Sequence, residues 1–303
     1  MIPPAPNLRL VILWMSGTLV SFCALAVSIR VLSSALSVFE VLTLRSLGGV
    51  VMLGLWGLSR GGIGWPRPLH LHLLRNVVHC AAQMCWAYGV VVLPLATVFA
   101  LEFTTPAWTL LLAVAFLGER LTAGRVGAVV LGFIGVLVIL RPGVASFDPN
   151  ALFVLAAAVM FGVQLTTTKF LTGSNSVLTI LFWMNVMQLP MNYAAHVFAS
   201  GHLAIWGGLS VALLPAAAVL LVCGLSAHVC LTSAFRYGDA TQVVPLDFLR
   251  VPLISVVGAV AFGERFDWPV LLGAAITASG IVWSLRERRV LGVVVSRPKK
   301  LIG

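Results

Sequence analysis

Four charged residues stand inside otherwise apolar stretches of the sequence: Arg45, Glu102, Asp247 and Arg250. Charged side chains are costly in such surroundings, so each needs a partner or a function. Arg250 follows Asp247 by three residues, which places both on one face of a helix. One interpretation is that the two carboxylates and two guanidinium groups form internal ion pairs that hold helices together. The alternative is that Glu102 or Asp247 faces a cavity and contacts a substrate amino group or exchanges protons.

Two histidines occupy matching places, since His79 and His228 each precede a Tyr-Gly pair by nine residues. Each histidine begins a polar and aromatic stripe at helical spacing. The stripes are His79, Gln83 and Trp86 in one segment and His228, Thr232 and Phe235 in the other. A histidine on a buried face is commonly a hydrogen-bonded core residue, and the alternative is that both histidines line a cavity.

Other residues extend these faces. Phe99 and Phe103 share a helical face with Glu102, and Met160 and Gln164 lie at helical spacing in a later apolar segment. Ordinary packing is the alternative for each position alone. Together they offer weak hydrogen-bonding groups and aromatic surfaces, which suit a zwitterion with an apolar side chain better than a sugar phosphate. The predicted substrate-binding residues are His79, Gln83, Trp86, Phe99, Glu102, Phe103, Met160, Gln164, His228, Thr232 and Asp247.

The elements that position these residues are apolar segments of membrane-spanning length. The chain has 303 residues, of which 60% are hydrophobic and 9% charged, and its mean hydropathy is +1.06. This composition predicts an all-α integral membrane protein in contact with the lipid bilayer. The net charge of +10 does not indicate nucleic-acid binding, because the basic residues lie in short gaps between apolar segments.

No cofactor, disulfide or metal site is expected. The five cysteines are odd in number and all lie in apolar segments, which is typical of small core residues. His70 and His72 do not share a helical face, and no acidic residue is near them. Neither a phosphate-binding Gly-Lys loop nor a nucleophile elbow occurs in the sequence, so we expect neither ATP-driven transport nor an enzyme.

Ten transmembrane helices are predicted from runs of about twenty apolar residues between charged or Pro/Gly-marked breaks. They span residues 10–29, 38–58, 73–93, 96–117, 126–140, 151–171, 177–199, 211–234, 241–262 and 268–285. If both termini are cytoplasmic, most Lys and Arg residues lie inside and only Arg30, Arg141 and Arg265 lie outside. This bias predicts a multi-pass protein of a bacterial inner membrane with both termini inside.

A duplication organises these helices. Gly118-Glu119-Arg120 recurs 145 residues later as Gly263-Glu264-Arg265. The same offset relates Val98 to Val243, Leu101 to Leu246, Glu102 to Asp247 and Gly135 to Gly280. We therefore predict one five-helix repeat at residues 1–145, a second at 146–290, and a basic cytoplasmic tail at 291–303. An odd number of helices per repeat makes the two copies inverted in the membrane, an arrangement typical of carriers.

This layout resembles the EamA type of the drug/metabolite transporter superfamily. The resemblance lies in the fourth helix of each half, which contains a proline (Pro106, Pro252) and is followed by Gly-Glu-Arg and a glycine-dotted fifth helix. In length and layout the chain is nearest to the aromatic amino-acid exporters called YddG. The resemblance implies a ten-helix carrier that exports amino acids or similar metabolites by alternating access around a central cavity. That cavity would be formed by the first, third, fourth, sixth, eighth and ninth helices.

Two rival functions remain from the residues themselves. A broad exporter of drugs or hydrophobic cations would need Glu102 or Asp247 exposed rather than paired. A membrane enzyme is disfavoured by the lack of a catalytic constellation. Stripes of small residues predict that the fifth and tenth helices pack on each other, and a homodimer contact is the competing use of the same surface. The stripes are Gly127, Ala128, Gly132 and Gly135, and Gly273, Thr277 and Gly280.

Overall fold

The structure is a computed structural model that describes residues 7–59, 61–105, 107–109, 111–112, 123–141, 148–171, 174–237, 246–247, 249–265 and 267–295. Within these ranges, the side chains of residues 125, 128, 140, 169, 232, 235, 236, 281, 284, 285 and 287–295 are not described. The helices are α1 (Leu8–Leu32), α2 (Val38–Ser59), α3 (Leu69–Val92), α4 (Leu95–Glu102), α5 (Ala123–Leu140), α6 (Ala151–Leu171), α7 (Val177–Ser200), α8 (Leu214–Tyr237), α9 (Arg250–Phe262) and α10 (Trp268–Val295). The described residues contain no β-strand, and a short 3-10 helix, Val211–Leu213, precedes α8.

The all-helical fold class is confirmed, and each of the ten predicted segments overlaps one of the described helices. Four of the described helical stretches are long and apolar enough to cross a membrane: Leu8–Leu32, Val38–Ser59, Ala151–Thr168 and Val211–Leu231. Large apolar side chains face outward on several helices, including Leu55 on α2, Val222 on α8 and Val260 on α9. An outward apolar surface of this kind matches a lipid environment rather than water.

The prediction of one continuous fourth helix over residues 96–117 is wrong. Helix α4 ends at Glu102, and helical backbone resumes only at Thr105. Pro106 explains the break, because it has no N–H to bond to the carbonyl of Glu102. The hydroxyl and the backbone N–H of Thr104 both donate to the Leu101 carbonyl, at 2.7 and 3.0 Å, which turns the chain more tightly than an α-helix. Residues 113–117 lie outside the described residues.

The predicted ninth helix over residues 241–262 is also interrupted. Leu246 and Asp247 are helical, a turn follows at Leu249, and α9 begins at Arg250, whereas residues 241–245 and 248 lie outside the described residues. Pro252 then lies in the first turn of α9, where its missing N–H costs no intrahelical bond. In both halves the helix is therefore interrupted just after its acidic residue, Glu102 or Asp247.

Other boundaries shift by a few residues. Helix α3 begins at Leu69 rather than at residue 73, and α10 continues to Val295, through the predicted end at residue 285 and into the predicted tail. At its amino end, α1 is capped by Asn7, whose side-chain oxygen accepts from the backbone N–H of Arg9 at 3.1 Å.

Each helix of the first half packs mainly on a helix of the second half. The main partners are α1 with α8, α2 with α7, α3 with α6, α4 with α9 and α5 with α10. The predicted packing of the fifth and tenth helices is thus confirmed. A Cβ atom at Gly135 would collide with the Gly273 carbonyl and the Thr277 hydroxyl, so glycine is what allows α5 and α10 to approach. The small-residue stripe is used within the chain.

Candidate functional site

The charged centre consists of Arg250, Glu102 and Asp247. Nη2 of Arg250 lies 2.5 Å from Oδ1 of Asp247, and Nη1 lies 3.4 Å from Oε1 of Glu102. Glu102 ends α4 and Arg250 begins α9, so the two helix breaks bring these charges together. Both acids thus form the internal ion pairs that the first interpretation predicts, but both pair with Arg250, and Arg45 takes no part in them.

Aromatic rings enclose the same guanidinium group. Its carbon atom lies 4.0 Å from the ring centre of Phe22, 5.2 Å from that of Phe103 and 5.7 Å from that of Phe99. The indole N–H of Trp86 donates to Oε2 of Glu102 at 2.8 Å. Desolvated cations over aromatic faces are stabilised, so Arg250 is held by two carboxylates and three rings, with a side chain only 3% exposed.

A second polar group, the amide cluster, consists of His79, Gln83, Gln188 and Arg45. The side-chain nitrogens of Gln83 and Gln188 each lie 2.8 Å from Nδ1 of His79. Gln83 also donates to Oε1 of Gln188 at 3.2 Å. The Gln83 nitrogen also lies 3.0 Å from Nε2 of His79, so both ring nitrogens of this histidine face an amide group. The cluster links α3 to α7 through buried amides.

Arg45 joins the cluster from α2, with Nη2 2.5 Å from Oε1 of Gln83. No carboxylate in the described part of the chain lies within ion-pair distance of Arg45. Its aliphatic stem crosses Gly224 of α8, where an added Cβ would lie 3.3 Å from the arginine Cδ. The absence of a side chain at Gly224 therefore makes room for Arg45 between α2 and α8.

A small cavity of about 20 Å³ lies beside Arg45, between α2, α7 and α8. Its polar lining comes from Arg45, Asn185 and His228, and Leu181, Met184 and Leu221 contribute apolar surface. This volume holds about one water molecule and is too small for an organic metabolite. The ring of His228 also contacts Phe22 edge-on, with ring centres 5.8 Å apart, so the cavity adjoins the aromatic rings that surround Arg250.

Helix α3 connects the two polar groups. Gln83 bonds Arg45, and Trp86, three residues later, bonds Glu102. Residues three apart lie on one helical face about 5–6 Å from each other. Arg45 and Glu102 are thus linked through two side chains on the same face of α3.

The remaining predicted residues lie elsewhere or outside the described part. Gln164 donates to the hydroxyl of Thr168 at 3.0 Å, and this hydroxyl accepts from Nε of Arg75 at 2.7 Å. Gln164 therefore belongs to a polar group around Arg75 rather than to the amide cluster. Met160 is partly buried on α6, where its neighbour Phe161 contacts the ring of His79. Thr232 lies on α8, and its side chain is outside the described residues.

Sequence reasoning missed Gln188 and Phe22. Gln188 is fully buried in the middle of α7, between two other buried amides, Asn185 and Asn192, and amides at helical spacing in an apolar segment are a signal that could have found it. Gln188 has no repeat-related partner, so a comparison of the two halves does not single it out. Nothing in the sequence distinguishes Phe22 from the other phenylalanines.

The second Gly-Glu-Arg junction, residues 263–265, connects several helices. Gly263 ends α9 in the left-handed conformation at φ 65°, which glycine adopts without strain. Glu264 then forms an ion pair with Arg30 and accepts from the backbone N–H of Leu95, at 3.0 and 3.2 Å to its two oxygens. It thereby joins α1, the start of α4 and the end of α9. The first copy, residues 118–120, lies outside the described residues.

Apolar helices that enclose buried charges, amides and a small cavity are the architecture of a membrane transporter. The chain belongs to the EamA-like transporter family, whose model matches residues 9–141 and again residues 149–286. The predicted resemblance is confirmed. The protein is therefore a multi-pass membrane transporter of small metabolites, and its family places it with carriers rather than enzymes.

Characterised relatives differ in what they carry. The chain is 32% identical over 71% of its length to a riboflavin transporter of Rhizobium johnstonii, 70% of which is covered. It is 29% identical over 87% of its length to an S-adenosylmethionine uptake transporter of Rickettsia felis, 88% of which is covered. A probable terminal-alkyne amino-acid exporter of Streptantibioticus cattleyicolor is 31% identical, with 70% of each chain covered. These names agree on transport and differ on substrate and direction.

A solved protein structure shares the fold. Its chain superposes with a TM-score of 0.59 at 18% identity, covering 91% of this chain and 98% of the other. At this identity the match concerns the arrangement of helices alone.

Proposed function

We propose that this protein exports amino acids with apolar or aromatic side chains by alternating access. The observation that carries the proposal is the meeting of the amide cluster and the charged centre on one face of α3, beside a cavity. Polar groups inside a membrane bundle commonly mark a substrate pathway. Both helical halves contribute, since His79 and Gln83 come from the first and Gln188, His228 and Arg250 from the second.

In this proposal the amide cluster binds the polar end of the substrate, and the aromatic side chains of the charged centre bind its apolar side chain. Gln83 and His79 supply hydrogen bonds, while Trp86, Phe99 and Phe103 supply ring surface. Glu102 is the candidate partner for the substrate ammonium group, because Arg250 holds it at 3.4 Å, against 2.5 Å for Asp247. Asp247 would then keep Arg250 in place while Glu102 changes partners.

Inverted repeats and alternating access are part of the proposal. Exchanging the first five helices with the last five converts the α1–α8 contact into α6–α3 and leaves α2–α7, α4–α9 and α5–α10 unchanged. This pairing supports a two-fold relation between halves, as does the double match of the family model. The cavity holds only about one water molecule, which fits a closed form that must open to admit substrate.

Export from a bacterial cytoplasm across the inner membrane, with both termini inside, follows from the charge bias and from the relative named as an amino-acid exporter. The relative named for uptake is the observation against this direction. A carrier of hydrophobic cations has less support, because Glu102 and Asp247 both face Arg250 rather than an open site. A riboflavin carrier is the second candidate, favoured by the relative from Rhizobium.

The test is counterflow of labelled phenylalanine into proteoliposomes of the purified protein. Unlabelled amino acids, riboflavin and S-adenosylmethionine serve as competitors, with and without a pH gradient. We expect saturable phenylalanine counterflow, competition by leucine and tryptophan, and loss of at least about 90% of it in His79→Ala and Gln83→Ala, equivalent to about 1.4 kcal/mol.

The matched control is His202→Ala, which removes an exposed histidine from the connection before α8 and should leave counterflow unchanged. Counterflow of labelled riboflavin, in a protein that shows no phenylalanine counterflow, would transfer the proposal to the second candidate. Inside-out vesicles then fix the direction, since export from the cytoplasm requires accumulation in them.

A further inference from the structure

We propose that Arg45 binds the carboxylate group of the transported molecule, so that a free carboxylate is a requirement for recognition. This deepens the proposed function and rests on it. The inference starts from charge balance: the two acids of the charged centre both pair with Arg250, and Arg45 is left with an amide oxygen as its hydrogen-bond acceptor.

A guanidinium group away from water is stable when an anion neutralises it, and a neutral amide oxygen does so poorly. Arg45 has five N–H donors, and the structure shows one bond from it, to Gln83. The residue is partly exposed and lines the cavity. The unused donors are therefore available to a molecule that enters there.

The surrounding backbone keeps this position open. Gly224 lies under the arginine stem, and Gly49, one turn along α2, leaves space that Asn185 occupies. Asn185 uses one of its two amide N–H groups on the Leu181 carbonyl at 2.8 Å, and it carries no charge. Arg45 is then the cavity-lining group best suited to hold an anion.

The chemistry favours a carboxylate over a phosphate ester. The cavity wall presents one guanidinium group, one amide and the imidazole of His228 among apolar side chains, whereas a phosphate dianion calls for several cations. Another buried arginine, Arg75, donates its hydrogen bonds to Thr168 and Asn76. Gln83, which bonds Arg45, and Trp86, which bonds Glu102, are three residues apart on α3, so a carboxylate held by Arg45 and an ammonium group held by Glu102 would lie along the same face of that helix.

The experiment compares four small probes that share a benzyl group: phenylalanine, phenylacetate, phenylalaninamide and phenethylamine. Each is titrated against purified protein in detergent, with the thermal unfolding midpoint as the readout. We expect phenylalanine and phenylacetate to stabilise the wild type at concentrations about 10- to 100-fold lower than the two probes without a carboxylate. Inorganic phosphate is expected to give no shift, and a shift equal to that of phenylacetate would overturn the assignment to a carboxylate.

Arg45→Gln should abolish the preference, bringing all four probes within about threefold of each other, and Arg45→Lys should restore part of it because it keeps the charge. The control is Arg141→Gln, which removes a guanidinium paired with Asp267 at the end of α5 and should keep the wild-type preference. Equal stabilisation of the wild type by phenethylamine and phenylacetate overturns the inference, whether or not Arg45→Gln folds.

The same probes separate the two proposals. Phenylalanine counterflow without any preference for a carboxylate would refute the role of Arg45 and keep the carrier. A carboxylate preference that depends on Arg45, in a protein that shows no phenylalanine counterflow, would keep the binding site and refute the proposed substrate.

Discussion

Arg45 and Arg250 are both arginines inside apolar helices, but their surroundings are opposite. Arg250 has two carboxylates and three aromatic rings around it. Arg45 has a glutamine oxygen and a cavity. An arginine therefore holds two helices together at position 250, whereas at position 45 it keeps N–H donors available for a ligand.

The difference shows how a membrane bundle separates structural charge from functional charge. A buried ion pair contributes little net stability when intact but costs much when one partner is lost. A cation without a carboxylate partner gains no ion-pair stabilisation inside the bundle, so its presence calls for a ligand. On this view the charged centre governs stability, and the amide cluster with Arg45 governs substrate recognition.

The largest stability effect is expected for Arg250→Gln. It leaves Glu102 and Asp247 facing each other without a cation, so the protein should lose about 3–5 kcal/mol of unfolding free energy. Unfolding in detergent, followed by the thermal midpoint or by denaturant titration, measures the loss.

Removing all three charges together gives the matched control for this variant. Arg250→Gln combined with Glu102→Gln and Asp247→Asn should recover most of the lost stability, because no unpaired charge remains. If the single and triple variants were equally unstable, the charged centre would owe its effect to packing rather than to ion pairing.

An intermediate effect is expected for Trp86→Phe. The substitution keeps a ring against Phe99 but removes the N–H that donates to Glu102, so about 1–2 kcal/mol should be lost. Trp183→Phe is the comparison, because the indole of Trp183 donates to the Gly64 carbonyl in a more exposed place. An equal loss in both variants would contradict a special role for the bond to Glu102.

The smallest stability effect is expected for Arg45→Gln, which should change the unfolding free energy by less than about 1 kcal/mol. It removes one hydrogen bond to Gln83 and also removes an uncompensated charge, and these effects oppose each other. The same detergent unfolding assay applies. A loss as large as that of Arg250→Gln would mean that Arg45 is structural, and the contrast between the two arginines would fail.

Much of the fold follows from the sequence because it rests on patterns that repeat. Runs of apolar residues predict the helices, and the glycine stripes predict the contact between α5 and α10. The breaks after Glu102 and Asp247 were not predicted. Pro106 and Pro252 are visible in the sequence, but a proline can bend a helix or end it, and the choice depends on neighbours such as Thr104.

The candidate site could be predicted from the sequence less completely than the fold. Spacing along one helix predicts that His79, Gln83 and Trp86 share a face, and that holds in α3. It cannot show which residues of other helices meet them, and so Gln188, Phe22 and the position of Arg45 required the structure. Gln164 illustrates the same limit, because a buried amide at helical spacing proved to lie with Arg75.

Equilibrium binding of labelled phenylalanine to purified wild-type protein and to Gln188→Ala tests the central claim most directly. Gln188 was identified from its contacts alone, and its amide bonds both His79 and Gln83. If the amide cluster is the substrate site, the wild type binds saturably and Gln188→Ala binds about tenfold or more weakly while keeping its unfolding midpoint within a few degrees. Unchanged affinity in a folded Gln188→Ala variant would contradict the account and place the substrate elsewhere in the bundle.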